Sequence, residues 1–215
     1  MFTGTKGGSF YMTKVKICGL QEQEHVKTAI HAGADAIGFV FAPSKRRVTV
    51  EQAQQLAKEV PRGVLKIGVF VNPTPAELKE AVERVPLDYV QYHGEETPAF
   101  IQEQGYPAIK ALSIRGREDV QAAVHYQVDY YLFDAPGTDF KGGSGHTFDW
   151  TLLEEVGILR EKLLLAGGLN VDNIEAAISS VAPVMVDVSS GVETDGVKDS
   201  IKIQAFLQAV KRGSE

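Results

Sequence analysis

The chain has 215 residues, 44% of them hydrophobic and 23% charged, with one cysteine and a formal net charge of −6 at pH 7. This length suits one α/β domain with a substantial core, and the acidic balance argues against nucleic acid as a partner. A lone cysteine excludes an intramolecular disulfide framework and fits a reducing, cytoplasmic compartment, and no stretch is long and apolar enough to make a membrane the expected partner.

Residues 1–13 are Gly-rich, lack the apolar core of a secretory signal and read as a loose extension, leaving residues 14–215 as the domain. From there, short apolar or β-branched runs predict strands at Val15–Cys18, Ala36–Phe41, Leu65–Val71, Tyr89–Tyr92, Ala108–Leu112, Tyr130–Phe133, Leu163–Ala166 and Val184–Val188. Segments with helical periodicity lie between them. Val26, Ala29 and Ile30 form a stripe closed by Gly33 as a helix stop. Val50, Ala53, Leu56, Ala57 and Val60 share a second face. Thr74-Pro75-Ala76-Glu77 combines an N-cap, a first-turn proline and a capping-box glutamate. Asn170 is the expected cap of the Ile174, Ala177, Ile178 stripe, and Ile203, Phe206, Leu207 and Val210 form the last.

Continuous rather than alternating apolarity in the strands indicates burial on both faces. Eight βα units predict a single-domain (β/α)₈ TIM barrel. A doubly wound sheet is the competing architecture, but its dinucleotide form expects G-x-G-x-x-G after the first strand, where this chain has Cys18-Gly19-Leu20-Gln21. In a barrel the chemistry sits at the C-terminal strand ends.

Those ends define the candidate site. Cys18 closes the first strand; a lone thiol there is a small buried hydrophobe or a reactive group, and residue type alone favours the first. Ser44-Lys45-Arg46-Arg47 follows the second strand, as a solvated loop or as a guanidinium fork for an anion, ideally a planar carboxylate. Gln91 and His93 end the fourth. His93 reads more readily as a hydrogen-bonded structural residue than as the partner of Cys18, since no oxyanion arrangement accompanies it. Asp134 ends the sixth strand, as a loop or capping residue or as an acid. In a partly desolvated pocket such a carboxyl keeps its proton to higher pH and can donate it near neutrality. Gly142-Gly143-Ser144-Gly145, Gly167-Gly168 and Ser189-Ser190-Gly191 follow strands six, seven and eight. One such loop is a turn; three in consecutive late units point to backbone amides cradling a phosphate. Asp187 lies within the eighth strand. The remaining histidines lack ligand spacing, so no metal site is expected.

This constellation resembles phosphoribosylanthranilate isomerase, the single-domain barrel of tryptophan biosynthesis. The matching segments are Lys16-Ile17-Cys18-Gly19, Gly38-Phe39-Val40-Phe41 with Ser44-Lys45-Arg46, and Gly68-Val69-Phe70-Val71-Asn72. Val90-Gln91-Tyr92-His93-Gly94-Glu95, Gly142-Gly143-Ser144-Gly145 with Thr147-Phe148-Asp149-Trp150, and Gly167-Gly168-Leu169-Asn170 follow in order, and Val186-Asp187-Val188-Ser189-Ser190-Gly191-Val192-Glu193 is the last. The match runs from Lys14 to the C-terminus and is least clear at residues 135–141.

The resemblance implies a cofactor-free Amadori rearrangement of N-(5-phosphoribosyl)anthranilate to 1-(2-carboxyphenylamino)-1-deoxyribulose 5-phosphate. Asp134 would be the general acid at the furanose ring oxygen and Cys18, as thiolate, the base at ribose C2. Arg46 would hold the anthranilate carboxylate, and the three Gly-rich elements the phosphate. Gln91, His93 and Asp187 would be further pocket residues, Asp187 near the ribose hydroxyls. The implied partner is a small phosphorylated substrate, and the implied assembly a monomer or homodimer. Two alternatives stand beside it. One is the related aminoaldose isomerase of histidine biosynthesis, which pairs aspartates at strands one and six and is disfavoured by Cys18. The other is a non-catalytic phosphate-binding or regulatory barrel, disfavoured by intact Cys18, Asp134 and Arg46.

Overall fold

The structure, a computed structural model, describes residues 12–136, 147–155 and 157–214. Eight parallel strands close into a barrel in the order β1 to β8. They are β1 (Lys14–Cys18), β2 (Ala36–Val40), β3 (Leu65–Phe70), β4 (Tyr89–Tyr92), β5 (Ala108–Ser113), β6 (Tyr130–Asp134), β7 (Leu163–Leu165) and β8 (Met185–Val188). Helices α1 (Gln23–Ala32), α2 (Val50–Ala57), α3 (Pro75–Arg84), α4 (Pro98–Gln104) and α5 (Arg117–Ala122) follow the first five strands, and α6 (Ile174–Val181) and α7 (Ser200–Gly213) follow β7 and β8. A short antiparallel pair, β9 (Glu193–Thr194) with β10 (Val197–Lys198), folds over the loop before α7.

The predicted barrel is present, with one difference in its helical layer. Between β6 and β7 the described residues form only 3-10 turns, Trp150–Glu155 and Arg160–Lys162, instead of an α-helix. Leu153 from this segment still packs into the core, so burial of apolar surface survives the loss of regular helix.

Local chemistry sets the helix ends. Thr49 and Thr74 form complete capping boxes with Gln52 and Glu77, and Gly33 closes α1 at φ 99°. The expected cap at Asn170 is displaced. Asn173 occupies the N-cap position of α6, while Asn170 accepts the Asp172 N–H and donates to the Gly168 carbonyl. Asn170 therefore braces the glycine turn after β7, a local bond that competes with capping.

A repeated device secures the barrel floor. The aspartates just before β2, β4 and β6 (Asp35, Asp88 and Asp129) each accept a backbone N–H from the preceding strand, at 2.7–2.8 Å, from Val15, Lys66 and Ala108 respectively. Strand parity then decides orientation. Val15, Ile17, Phe39, Val90, Phe133, Leu165 and Val186 face the helices in the main core. Ala36, Ile67, Ile109, Leu132, Leu164 and Met185 fill the lower barrel interior. Several inward positions nearer the C-terminal ends, on β1, β4, β6 and β8, are polar, and there the site forms.

Candidate active site

The same parity aims Lys16 and Cys18 (β1), Gln91 (β4), Asp134 (β6) and Asp187 (β8) into the barrel, with His93 one residue beyond β4. Cys18 is 8% exposed and Asp134 4%, so both face a largely water-free mouth. Val40, Ala42 and Val69 pack around the thiol. Burial pushes the Cys18 thiol up, against the pull of the neighbouring Lys16 ammonium.

A polar chain crosses the interior between these groups. Lys16 Nζ donates to Asp187 Oδ2 at 2.7 Å and to Gln91 Oε1 at 2.9 Å. Because the ammonium takes Oε1, the Gln91 amide turns its Nε2 toward His93 Nδ1, 3.2 Å away. That contact makes Nδ1 the acceptor and assigns the imidazole proton to Nε2. His93 Nε2 lies 3.2 Å from Asp134 Oδ2, though not aligned for a hydrogen bond. Asp187 Oδ1, beside the Lys16 pair, is buried and unpartnered. His93 is therefore hydrogen-bonded to Gln91 and stands beside the Asp134 carboxyl.

Arg46 is brought to the same mouth by its loop. A bridge between Val40 and Arg47 folds the loop back, and Gln21 Nε2 donates to the Lys45 and Arg47 carbonyls at 3.2 Å. The Arg46 stem lies over Gly19, which sits at φ +77°; a Cβ there would fall 2.6 Å from Arg46 Cδ. Only glycine allows both this turn and this approach. Arg46 Nε and Nη2 donate to the two carboxylate oxygens of Glu193 at 2.5 and 2.9 Å. A guanidinium has five N–H donors, so the edge carrying Nη1 remains for a second carboxylate.

Glu193 joins this group to the loop after β8. It also accepts from Lys198 Nζ at 2.8 Å, and that ammonium donates to the Ser189 carbonyl at 2.8 Å and hydroxyl at 3.1 Å. Ser189 Oγ in turn donates to the Cys18 carbonyl at 3.1 Å. Burial works against the Glu193 charge, but Arg46 and Lys198 hold the carboxyl down at about 2. Burial draws Lys198 in the opposite sense, below the ordinary lysine value, against the attraction of Glu193.

Gly167-Gly168 and Ser189-Ser190-Gly191 come together beside these residues. A Cβ on Gly167 would lie 2.2 Å from Ala135 N, next to Asp134, and one on Gly191 would lie 1.9 Å from the Leu169 carbonyl oxygen. The two turns are therefore in backbone contact, as a common wall requires. Gly142, Gly143, Ser144 and Gly145 lie outside the described residues.

Sequence reasoning missed Lys16, Glu193 and Lys198 as members of the site. For Lys16 the signal was present: a lysine inside an otherwise apolar strand, at the same parity as Cys18. Glu193 and Lys198 carried no such mark, because a small hairpin folds them under the mouth.

A family model described as N-(5'phosphoribosyl)anthranilate (PRA) isomerase matches residues 15–209. The chain belongs to this family. It is 51% identical over 202 residues to an N-(5'-phosphoribosyl)anthranilate isomerase of Streptococcus pneumoniae (strain Taiwan19F-14), covering 94% of this chain and 98% of the relative. It is 48% identical over 197 residues to that of Listeria innocua, covering 92% and 97%. Among solved structures, phosphoribosyl anthranilate isomerase from Thermotoga maritima superposes with a TM-score of 0.86 at 38% identity, covering 94% of this chain and all of that one. A phosphoribosyl anthranilate isomerase in complex with reduced 1-(o-carboxyphenylamino)-1-deoxyribulose 5-phosphate gives a TM-score of 0.82 at 36% identity, covering 94% of this chain and 100% of that one.

Proposed function

We propose that Cys18 and Asp134 are the base and the acid of the isomerisation that this family catalyses. The chain is an aldose–ketose isomerase of tryptophan biosynthesis, and its reaction is the Amadori rearrangement of N-(5-phosphoribosyl)anthranilate. Asp134 gives a proton to the furanose ring oxygen as the C1–O bond breaks, leaving an open-chain Schiff base. Cys18 thiolate removes the proton from C2, and the C2 electron pair moves toward nitrogen to form an enolamine. Tautomerisation of the enolamine gives the ketone, so no oxidant or cofactor is consumed.

The observation that carries this assignment is the shared orientation of the two groups. Cys18 and Asp134 stand at the C-terminal ends of β1 and β6, both inward and both nearly excluded from water. Proton transfer by positioned groups in such a site contributes about 10²–10⁴-fold each to rate. The free edge of Arg46, held over Gly19 beside the base, is the proposed seat of the anthranilate carboxylate. The Gly167-Gly168 and Ser189–Gly191 turns, together with the loop at 142–145, are the proposed phosphate site, with Lys198 adding charge behind Ser189. Gln91, His93 and Asp187 are assigned to orienting Lys16 and the acid and to contact with the ribose.

The substrate is a small phosphorylated molecule. For the finer properties we infer a cytoplasmic enzyme, monomer or homodimer, with residues 14–215 as the catalytic barrel and 1–13 as an extension. Among the described residues no helix is long and apolar enough to cross a membrane.

The test is an isomerase assay on wild type, Cys18→Ala and Asp134→Asn with freshly generated substrate. Each variant is expected to lose kcat by about 10²–10⁴-fold while still binding a reduced product analogue, and the wild-type kcat/KM profile is expected to be bell-shaped. Full turnover by Cys18→Ala would remove the base. Wild-type protein that binds the analogue without turnover would instead support the non-catalytic reading.

A further inference from the structure

One buried cation inside the barrel has no role in the acid–base scheme. Lys16 lies within β1, fully buried, two residues before Cys18 and on the same inward face. Removal of an ammonium from water is costly unless its charge is paired and its donors are used. Asp187, opposite Lys16 in the β1–β8 register, and Gln91 supply two acceptors. Burial draws the lysine down, but Asp187 and Cys18 outweigh it, so its ammonium persists above the ordinary range.

An ammonium has three donors. With two taken by oxygen, one donor is left on the side of the sulfur, and the charges of Lys16 and Cys18 act on one another. Gly38, paired with Cys18 across β1 and β2, shows how closely the two side chains converge. A Cβ placed there would lie 2.8 Å from Cys18 Sγ and 3.0 Å from Lys16 Cε.

We propose that Lys16 is the positioning residue for the base, an ammonium locked between Asp187 and Gln91 that stabilises Cys18 as a thiolate facing the substrate. The proposal rests on Cys18 being the base. Among the described residues, the charged groups that act on the sulfur come from three elements. Lys16 on β1 favours the thiolate, Asp187 on β8 opposes it, and Lys198 on β10 favours it more weakly than Lys16 does. The residues contributed by β2 and β3, Val40 and Val69, are apolar and uncharged. Asp187 thus has two opposed effects: it repels the thiolate and it keeps charged the lysine that attracts it. The second effect requires Lys16 to be present.

Cys18 is the chain's one cysteine, so its ionisation can be read directly. Thiolate ultraviolet absorbance, with Cys18→Ser as the blank, titrates it without turnover. Lys16→Met removes the ammonium at nearly constant length. Lys16→Met/Asp187→Asn removes the whole pair and strands no buried charge, which guards against a folding failure of the single variant. In Lys16→Met the thiol titration is expected to move up by about one pH unit or more, roughly 10-fold less thiolate at neutral pH. In the double variant, which also loses the repulsion from Asp187, it is expected to move in the same direction by less. The limb of the kcat/KM profile that reports the base is expected to move with it, with turnover recovering at high pH. An unmoved thiol titration in either folded variant overturns the proposal. A moved titration together with an active Cys18→Ala overturns the base assignment instead, and with it the catalytic half of the proposal.

Discussion

Glu193→Gln tests the electrostatic framework of the mouth. The Glu193 side chain is 5% exposed and takes Arg46 and Lys198 directly, with Lys45 Nζ 3.3 Å away. Its carboxyl is held at about 2, against an ordinary value of 4.5. At about 1.4 kcal/mol per pH unit, ionised Glu193 contributes about 3 kcal/mol to folding at neutral pH. The figure agrees with the roughly 3–5 kcal/mol lost when one partner of a buried ion pair is removed. Glutamine keeps the shape and one acceptor oxygen but leaves Arg46 and Lys198 without their counter-charge.

The sign follows from the depressed value. A carboxyl whose folded pKa lies below its unfolded one stabilises above the unfolded pKa, and that contribution fades as pH falls from about 4.5 toward about 2. Urea unfolding followed by circular dichroism is expected to show Glu193→Gln about 3 kcal/mol less stable at pH 7. The gap between wild type and variant is expected to close as pH drops through that window. Equal stabilities at pH 7, or a gap that persists unchanged to pH 2.5, would refute the coupling of these charges.

Two further substitutions separate binding from folding. Gly19→Ala forces a side chain onto a left-handed backbone at φ +77° and against Arg46 Cδ. KM is expected to rise about 10-fold, the equivalent of about 1.4 kcal/mol, with kcat changed less; an unchanged KM would detach Arg46 from carboxylate binding. Thr74→Ala removes the hydroxyl that accepts the Glu77 N–H at the start of α3. It is expected to cost about 1 kcal/mol in urea unfolding and to leave kcat/KM unchanged, since that end of α3 carries no site residue.

The barrel and the delivery of Cys18 and Asp134 to its mouth were legible because their signals are local and periodic. Apolar runs ending in Cys18 and Asp134 disclose both a strand and the residue delivered at its end, and parity turns that residue inward. Helix caps at Thr74 and Gly33 were equally readable, because each depends on a few neighbouring residues. Asn170 misled for the same reason: several local bonds were available, and the one to the Gly168 carbonyl won. The 3-10 crossing between β6 and β7 was not legible, since Leu153 packs against the core whether or not its backbone is α-helical. Glu193 and Lys198 were hidden for a deeper reason. Their significance lies in contacts with Arg46 and Ser189 that only the hairpin of β9 and β10 creates.

Those hidden residues bear on how an acidic chain receives an anionic substrate. With a net charge of −6, long-range attraction cannot concentrate a phosphorylated carboxylate at the mouth. The cations that matter are instead few and held in place. Arg46 is aimed by Glu193, Lys198 by Glu193 and Ser189, and Lys16 by Asp187 and Gln91. Each carboxylate partner neutralises its cation seen from afar; Arg46 keeps the Nη1 edge that Glu193 does not take, while Lys198 spends its three donors on Glu193 and Ser189. Donors fixed in this way need no reorganisation as charge develops, which is the condition under which electrostatic stabilisation of a transition state is greatest. On the proposed assignments the acidic partners of the mouth therefore take part in anion recognition: removing Glu193 or Asp187 would add positive charge overall while loosening the cations proposed to face the substrate.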